Sequence, residues 1–438
     1  MVDLSASGDG VGRAQGRVVF VPNTVTGDHA LVRLTQIKSQ YARDKLQELR
    51  QPSPHRIRPR CIVADTCGGC QWQHIDDAYQ RSAKRERVAR TLERIGGFRH
   101  PPVEPILAGE SPLHYRNKVT YPLEASRSGR IRAGYYRPGS HKLVNLNQCP
   151  VQDERLDPLL AELKQDIQCQ GWRPYDEDRD RGQLRYLSLR VGRRTGEVLL
   201  TLVSTSRHLK GLKGQAKAWL QRYPQLVGVC LNRNPRRSNA IFGPETRCVA
   251  GQPFARERLA GLEFRLTPET FFQINTEVAE QLLNATMAKL QPQARETLLD
   301  AYCGVGTFTL PLAAKVQRDI GLEAQPSAIA QARRNAHLNG IANASFRAEP
   351  VERGLRRVSH ADIAVLDPPR KGCERDAIAG LQRLGPRQIA YISCNPATLA
   401  RYLAQLCRDN RYRLTGVKPA DFFPQTAHVE CVALLQRC

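Results

Sequence analysis

Long apolar runs are missing from this chain. No stretch approaches the ~18 uncharged apolar residues of a membrane-crossing helix, and residues 1–8 carry neither a basic n-region nor an apolar h-region of a secretory leader. A cytosolic protein with no membrane contact is expected. Acids are scarce. Asp and Glu number 42 against 66 Lys and Arg, a formal net charge of +24. A polyanionic partner is expected, because clustered Lys and Arg displace counterions from phosphates; charge alone does not separate RNA from DNA. Repeats and long low-complexity segments are absent, which excludes solenoid arrays. No Gly-Lys-Ser/Thr follows the one glycine-rich loop, which excludes a Walker-type phosphate cradle. Cysteine, by contrast, is plentiful. A cytosolic chain with 13 cysteines is not expected to build a disulfide framework, so some should bind metal or act in catalysis.

With 438 residues and a 41% hydrophobic fraction, the chain can form two to four domains with real cores. Residues 1–50 read as a small five-stranded, OB-like barrel. Short runs such as Arg17-Val18-Val19-Phe20-Val21 and Ala30-Leu31-Val32-Arg33-Leu34 alternate with turn signals. A Pro-rich basic linker, residues 51–60, and a cysteine cluster follow; a helix with a basic face is expected from about Thr91. Residues 51–260 form a central, β-rich region with strand candidates at 118–123, 186–191 and 197–203. From about Gly261 apolar strands alternate with helical segments, the βαβ signature of a mostly parallel sheet. The expected fold class is therefore α/β, with a Rossmann-like C-terminal domain over residues 261–438.

Within that domain the strand Thr297–Ala301 leads into Tyr302-Cys303-Gly304-Val305-Gly306-Thr307-Phe308 and a helical segment. The next strand ends in Glu323, where an acid can accept hydrogen bonds from both ribose hydroxyls. A lone Gly-x-Gly is equally an ordinary turn; strand, loop, helix, strand and acid together point to a cofactor. The third glycine of a dinucleotide fingerprint is missing. That favours a nucleoside cofactor without pyrophosphate, with S-adenosyl-L-methionine the obvious candidate. A further strand ends in Asp367-Pro368-Pro369-Arg370-Lys371-Gly372. Its prolines stiffen the loop, and Asp367 would hold donors of a bound base or cofactor.

Residues 388–392 read as a buried strand that stops at Cys394-Asn395-Pro396. This presents a thiol at the carboxyl end of a strand, where open α/β sheets bind ligands. Arg370 and Lys371 are basic neighbours that would favour the thiolate. Glu430 enters a late apolar strand, a costly place for an acid without a role. It is the candidate general base, with His428 a rival ranked lower. Together these residues suggest a cysteine that attacks a nucleic-acid base before methylation. A separate set, Cys61, Cys67 and Cys70 with Cys149 further on, fits tetrahedral zinc or a cubane [4Fe-4S] cluster equally on count.

Phe271-Phe272-Gln273-Ile274-Asn275, the 300–308 loop, 367–372, 393–401 and His428-Val429-Glu430 together resemble the RNA uracil-5 methyltransferase family. The N-terminal module resembles the TRAM barrel of its ribosomal branch. The likeness covers nearly the whole chain and is weakest over about 155–260. It implies a class I S-adenosyl-L-methionine-dependent enzyme, with Cys394 as nucleophile and Glu430 as base. Gln273, Tyr302, Glu323 and Asp367 fall at cofactor-site positions. Some relatives carry Asn at the position of Thr307, and Pro350 offers no polar side chain where a contact would be expected. The likeness also implies a [4Fe-4S] cluster on Cys61, Cys67, Cys70 and Cys149, structural or RNA-handling, and an RNA substrate. 23S ribosomal RNA is favoured, with transfer RNA as alternative; no protein partner is implied and a monomer is expected. Two rivals stand beside it: an exocyclic-amine methyltransferase using Asp367-Pro368-Pro369, and a non-catalytic Fe-S RNA-binding protein.

Overall fold

Short alternating runs between tight turns form the first layer. β1 (Asp3–Leu4), β2 (Gly10–Ala14), β3 (Arg17–Val21), β4 (His29–Ile37) and β5 (Tyr41–Gln51) pair in the order β1-β2-β3-β5-β4, with β3–β5 parallel and the rest antiparallel. The structure is a computed structural model and describes residues 1–14 and 16–438. Val19, Val21 and Ala42 fill the small core. The basic segment after β5 is docked rather than free: Arg56 donates to the buried Asp28 carboxylate at 2.6 Å.

Helix α1 (Asp77–Gly96) starts well before the expected Thr91. Asp76 caps it, accepting from the N–H groups of Ala78 and Tyr79, and Gly97 ends it in the left-handed conformation. Val88 and Leu92 join the core beneath the C-terminal sheet. Val103 and Leu107 then bridge to Val417 and Ala420, covering a sheet edge. Residues 77–107, expected in the central region, thus pack against the C-terminal domain.

The central sheet comprises β6 (Lys118–Ala125), β7 (Ile131–Tyr136), β8 (Leu143–Asn145), β9 (Leu184–Val191), β10 (Val198–Ser204), β11 (Leu226–Arg233) and β12 (Glu245–Gly251), in the order β12-β11-β10-β9-β6-β7-β8. It is more than β-rich. Helices α2 (Asp157–Cys169) and α3 (Leu212–Arg222) bury Leu160, Leu163, Ile167 and Trp219 in its core, and α3 links the parallel pair β10–β11. A hairpin of β13 (Ala255–Leu259) and β14 (Leu262–Leu266) leads to α4 (Thr276–Leu290).

The C-terminal sheet alternates β15 (Thr297–Ala301), α5 (Thr309–Ala313), β16 (Arg318–Glu323), α6 (Pro326–Leu338), β17 (Ala344–Ala348), α7 (Val351–Leu355), β18 (Ile363–Leu366), α8 (Arg375–Leu384), β19 (Gln388–Ser393) and α9 (Pro396–Leu406). It closes with β20 (Tyr412–Ala420) and β21 (Glu430–Arg437), in the order β17-β16-β15-β18-β19-β21-β20. The first five strands in that order are parallel; β21 inserts antiparallel beside β19. Side chains alternate between faces. Leu299, Ile389 and Cys431 join α1, α8 and α9 on one side, while Leu298, Ala390 and Val432 join α4 and α6 on the other. Strand order reverses about β15 and β18, which opens a crevice at their carboxyl ends. Among the described residues no helix is long and apolar enough to cross a membrane.

Candidate active site

The crevice is built by four strand ends. Beyond β15, Tyr302 adopts φ 73° and the N–H groups of Tyr302 and Cys303 both donate to the Leu322 carbonyl, at 2.8 and 3.0 Å. This folds the loop over the neighbouring strand. Gly306, at φ 89°, could not carry a Cβ without meeting Leu310 at 2.9 Å. Beneath the loop Thr309 Oγ1 donates to the buried Asp300 carboxylate at 2.5 Å. At the end of β16, Glu323 Oε1 accepts from the Gln325 N–H at 2.8 Å.

The β18 end carries Asp367, whose carboxyl burial pushes up to about 7. The loop behind it turns tightly at Gly372, where a Cβ would lie 2.2 Å from the Tyr402 ring. After β19 comes Cys394. Asn395-Pro396 does more than stop the strand: it starts α9. Asn395 Oδ1 accepts from the Ala397 N–H at 3.1 Å and Pro396 takes the first helical position. Ser393 pairs with Cys431 across β19 and β21, so the same register sets Cys394 opposite Glu430. Glu430 is buried, and desolvation followed by the Asp367 charge pushes its carboxyl up to about 8. Burial, then Glu430 and Asp367, push the Cys394 thiol up while Arg370 pulls it down. Lys371, expected to help the thiolate, is instead paired with Glu374 at 2.6 Å.

Gln273 lies in the turn before α4, its carbonyl held by Asn117 Nδ2 at 2.9 Å. Gln273, Tyr302, Glu323, Asp367, Cys394 and Glu430 all line one cavity of about 610 Å³, a size suited to small-molecule binding. Thr307 and Pro350 line it too, as do Glu352 and Phe271, to which sequence reasoning gave no role. Phe271 is 69% exposed. An aromatic left in water beside a cleft is the signal that could have singled it out. His428 is not among the lining residues; its ring meets Phe423 edge-on at 5.7 Å, and burial holds it below its usual range.

Helix α1 fixes the loop that leads to Glu430. Lys84 is fully buried, donating to Asp421 at 2.6 Å and to the Phe423 carbonyl at 3.0 Å. Gln80 accepts from the Gln425 N–H at 3.0 Å.

The four remaining candidate ligands, Cys61, Cys67, Cys70 and Cys149, line a second cavity of about 190 Å³. Gly68 has no room for a Cβ, which would lie 2.7 Å from the Tyr136 carbonyl, and the Gly69 N–H points at Cys67 Sγ from 3.4 Å. Burial and the neighbouring thiols push Cys70 up to about 12, so a thiolate set here requires a cationic centre. Among the described residues no three His, Cys, Asp or Glu side chains are gathered tightly enough for a single metal ion. Thiols are the donor type that a thiophilic metal group takes.

A glycine loop, a ribose-type acid and a thiol–carboxylate pair at the switch point define an α/β group-transfer enzyme with a nucleoside cofactor site. Residues 254–438 match the tRNA (Uracil-5-)-methyltransferase family and residues 2–46 the TRAM domain. An uncharacterized RNA methyltransferase of Nostoc sp. is 59% identical over 99% of this chain and 95% of its own length. A Bacillus cereus relative of the same description is 36% identical over 99% and 95%. Among solved structures, the Pyrococcus abyssi tRNA (uracil-54, C5)-methyltransferase in complex with S-adenosyl-L-homocysteine has a TM-score of 0.79 at 29% identity, covering 99% of this chain and 98% of that one. The chain belongs to the RNA (uracil-5-)-methyltransferase family, with a TRAM domain ahead of its catalytic part.

Proposed function

We propose that this enzyme methylates C5 of a uridine in RNA through a covalent bond between Cys394 and C6 of the base. The observation that carries this reading is the β19–β21 register, which faces Cys394 with Glu430 in one cavity. C5 of uracil is a poor nucleophile. Addition of the Cys394 thiolate to C6 makes C5 enolate-like, dividing one hard step into easier ones. S-adenosyl-L-methionine, when bound, supplies the electrophilic methyl group. Glu323 would hold its ribose, and Gln273, Tyr302 and the 303–307 loop would enclose it; Asp367 would hold donors of the cofactor or the base. After C5 is methylated, Glu430 takes the C5 proton, the C5=C6 bond re-forms and Cys394 leaves with its electron pair. Burial matters here: a carboxyl held near neutrality can accept that proton and return it to solvent.

The target uridine must leave its stack to reach a crevice, which favours single-stranded or loop RNA. Cys61, Cys67, Cys70 and Cys149 would hold a [4Fe-4S] cluster with a structural or RNA-handling role. The barrel and thiol cavity favour 23S ribosomal RNA. Transfer RNA is the second reading, supported by the full-length likeness to the Pyrococcus abyssi enzyme.

RNA carrying 5-fluorouridine tests the chemistry, because fluorine cannot leave C5 as a proton does. A trapped adduct at Cys394 is expected; methylation without trapping would favour exocyclic-amine chemistry. Mapping 5-methyluridine in ribosomal and transfer RNA from cells with and without the protein decides the substrate.

A further inference from the structure

A third cavity, of about 500 Å³, lies between the barrel and α1 and belongs to neither site described above. Its barrel wall includes Phe20, half-buried, whose ring meets Tyr41 edge-on at 5.9 Å. Its helix wall carries Arg87, Arg90 and Arg94, spaced three and four residues apart on one face of α1. The cations differ. Arg90 is clamped by Asp3 at 2.6 Å and by Glu86. Arg87 gives Nη2 to the Ala427 carbonyl, while its Nη1 is buried without a hydrogen-bond partner among the described residues. Arg94 is exposed.

The cavity adjoins the catalytic loop. Trp72, another wall residue, donates its indole N–H to the Gly8 carbonyl at 3.0 Å and its backbone N–H to the Gln425 carbonyl at 3.0 Å. One junction therefore joins the barrel, α1 and the segment leading to Glu430.

We propose that this groove is a second nucleotide-binding site for the RNA substrate, distinct from the pocket of the target uridine. Resting on the RNA reading above, it takes a base against Phe20, with Ala83 and Ile95 of α1 on the same cavity wall. Arg94 meets the flanking phosphate. An aromatic wall beside arginines suits a nucleotide, since every base has a π-face and every linkage a charge. Asp3 and Glu86, both paired with Arg90, keep acceptor oxygens that a base's exocyclic amine can reach.

The test measures equilibrium binding of a uridine-containing single-stranded RNA 20-mer to the full-length protein by fluorescence anisotropy. Wild type is compared with Arg94→Ala, Arg94→Lys and Phe20→Ala. Arg87 is left intact because it also holds Ala427. Arg94→Ala and Phe20→Ala should each weaken RNA binding about tenfold. Only Arg94→Ala should lower the slope of log affinity against log salt, by about one, and Arg94→Lys should restore it. Affinity for S-adenosyl-L-methionine should not change. RNA affinities within twofold of wild type in both alanine variants would overturn the proposal. If Phe20→Ala lowers the melting temperature, the Arg94 pair decides alone. Trapping of the wild type by 5-fluorouridine RNA is scored separately. Weakened variants without trapping would sink the uridine chemistry and leave the groove standing; trapping with unweakened variants would do the reverse.

Discussion

The two cavities that hold the predicted residues are assembled in opposite ways. Three of the four cavity cysteines, Cys61, Cys67 and Cys70, come from one short segment, and Gly68 and Gly69 let the backbone wrap closely there. The catalytic crevice draws Gln273, Tyr302, Glu323, Asp367, Cys394 and Glu430 from six separate segments. Local spacing organises the first, whereas strand order and register organise the second. A change in the crevice should therefore act on chemistry, and a change around the thiols on integrity.

The largest effect is expected at Cys394. Cys394→Ala should abolish both methylation and 5-fluorouridine trapping while leaving cofactor affinity by calorimetry intact. Full methylation by this variant would remove the covalent mechanism. Glu430→Gln should slow turnover by about 10²–10⁴ and let a Cys394-linked, methylated RNA accumulate on denaturing gels. Lys84→Ala leaves Asp421 buried without its partner. Loss of a buried ion-pair partner costs about 3–5 kcal/mol, so chemical denaturation should show a clear drop in stability. On the proposed cluster reading, Cys70→Ser should lower iron content and thermal stability, with turnover per folded molecule less affected than in Glu430→Gln. Last, kcat should depend on pH. The base form of Glu430 is lost as pH falls through about 8, so kcat should fall as pH drops below that value. A kcat profile flat from pH 6 to 9 would exclude Glu430 as the acceptor of the C5 proton.

Much of the C-terminal sheet was legible because its strands are continuous apolar runs ending in chemistry-bearing residues: Ala301-Tyr302, Leu366-Asp367 and Ser393-Cys394. Helix α1 was less legible. Its buried positions are Gln80, Lys84, Val88 and Leu92, and two of those four are polar. Only the tertiary partners Gln425 and Asp421 make these two inward-facing, so the hydrophobic period breaks in the first half and sequence reading starts the helix late. Helix α2 did leave a signal, since Leu159, Leu160, Leu163 and Ile167 follow helical spacing after Pro158. The strands on either side outweighed it.

By itself the sequence determined the glycine loop, the acid after the second strand, the thiol before Asn-Pro and the local cysteine spacing. Each depends on neighbouring residues and on backbone rules that act over a few positions. Only the tertiary structure decided that Cys394 and Glu430 meet. That meeting depends on β21 inserting antiparallel beside β19 in one register, and a one-residue slip would turn Glu430 to the other face. The same holds for the buried carboxyls. Burial in the crevice sets the Asp367 and Glu430 protonation ranges, and no residue's identity carries its desolvation.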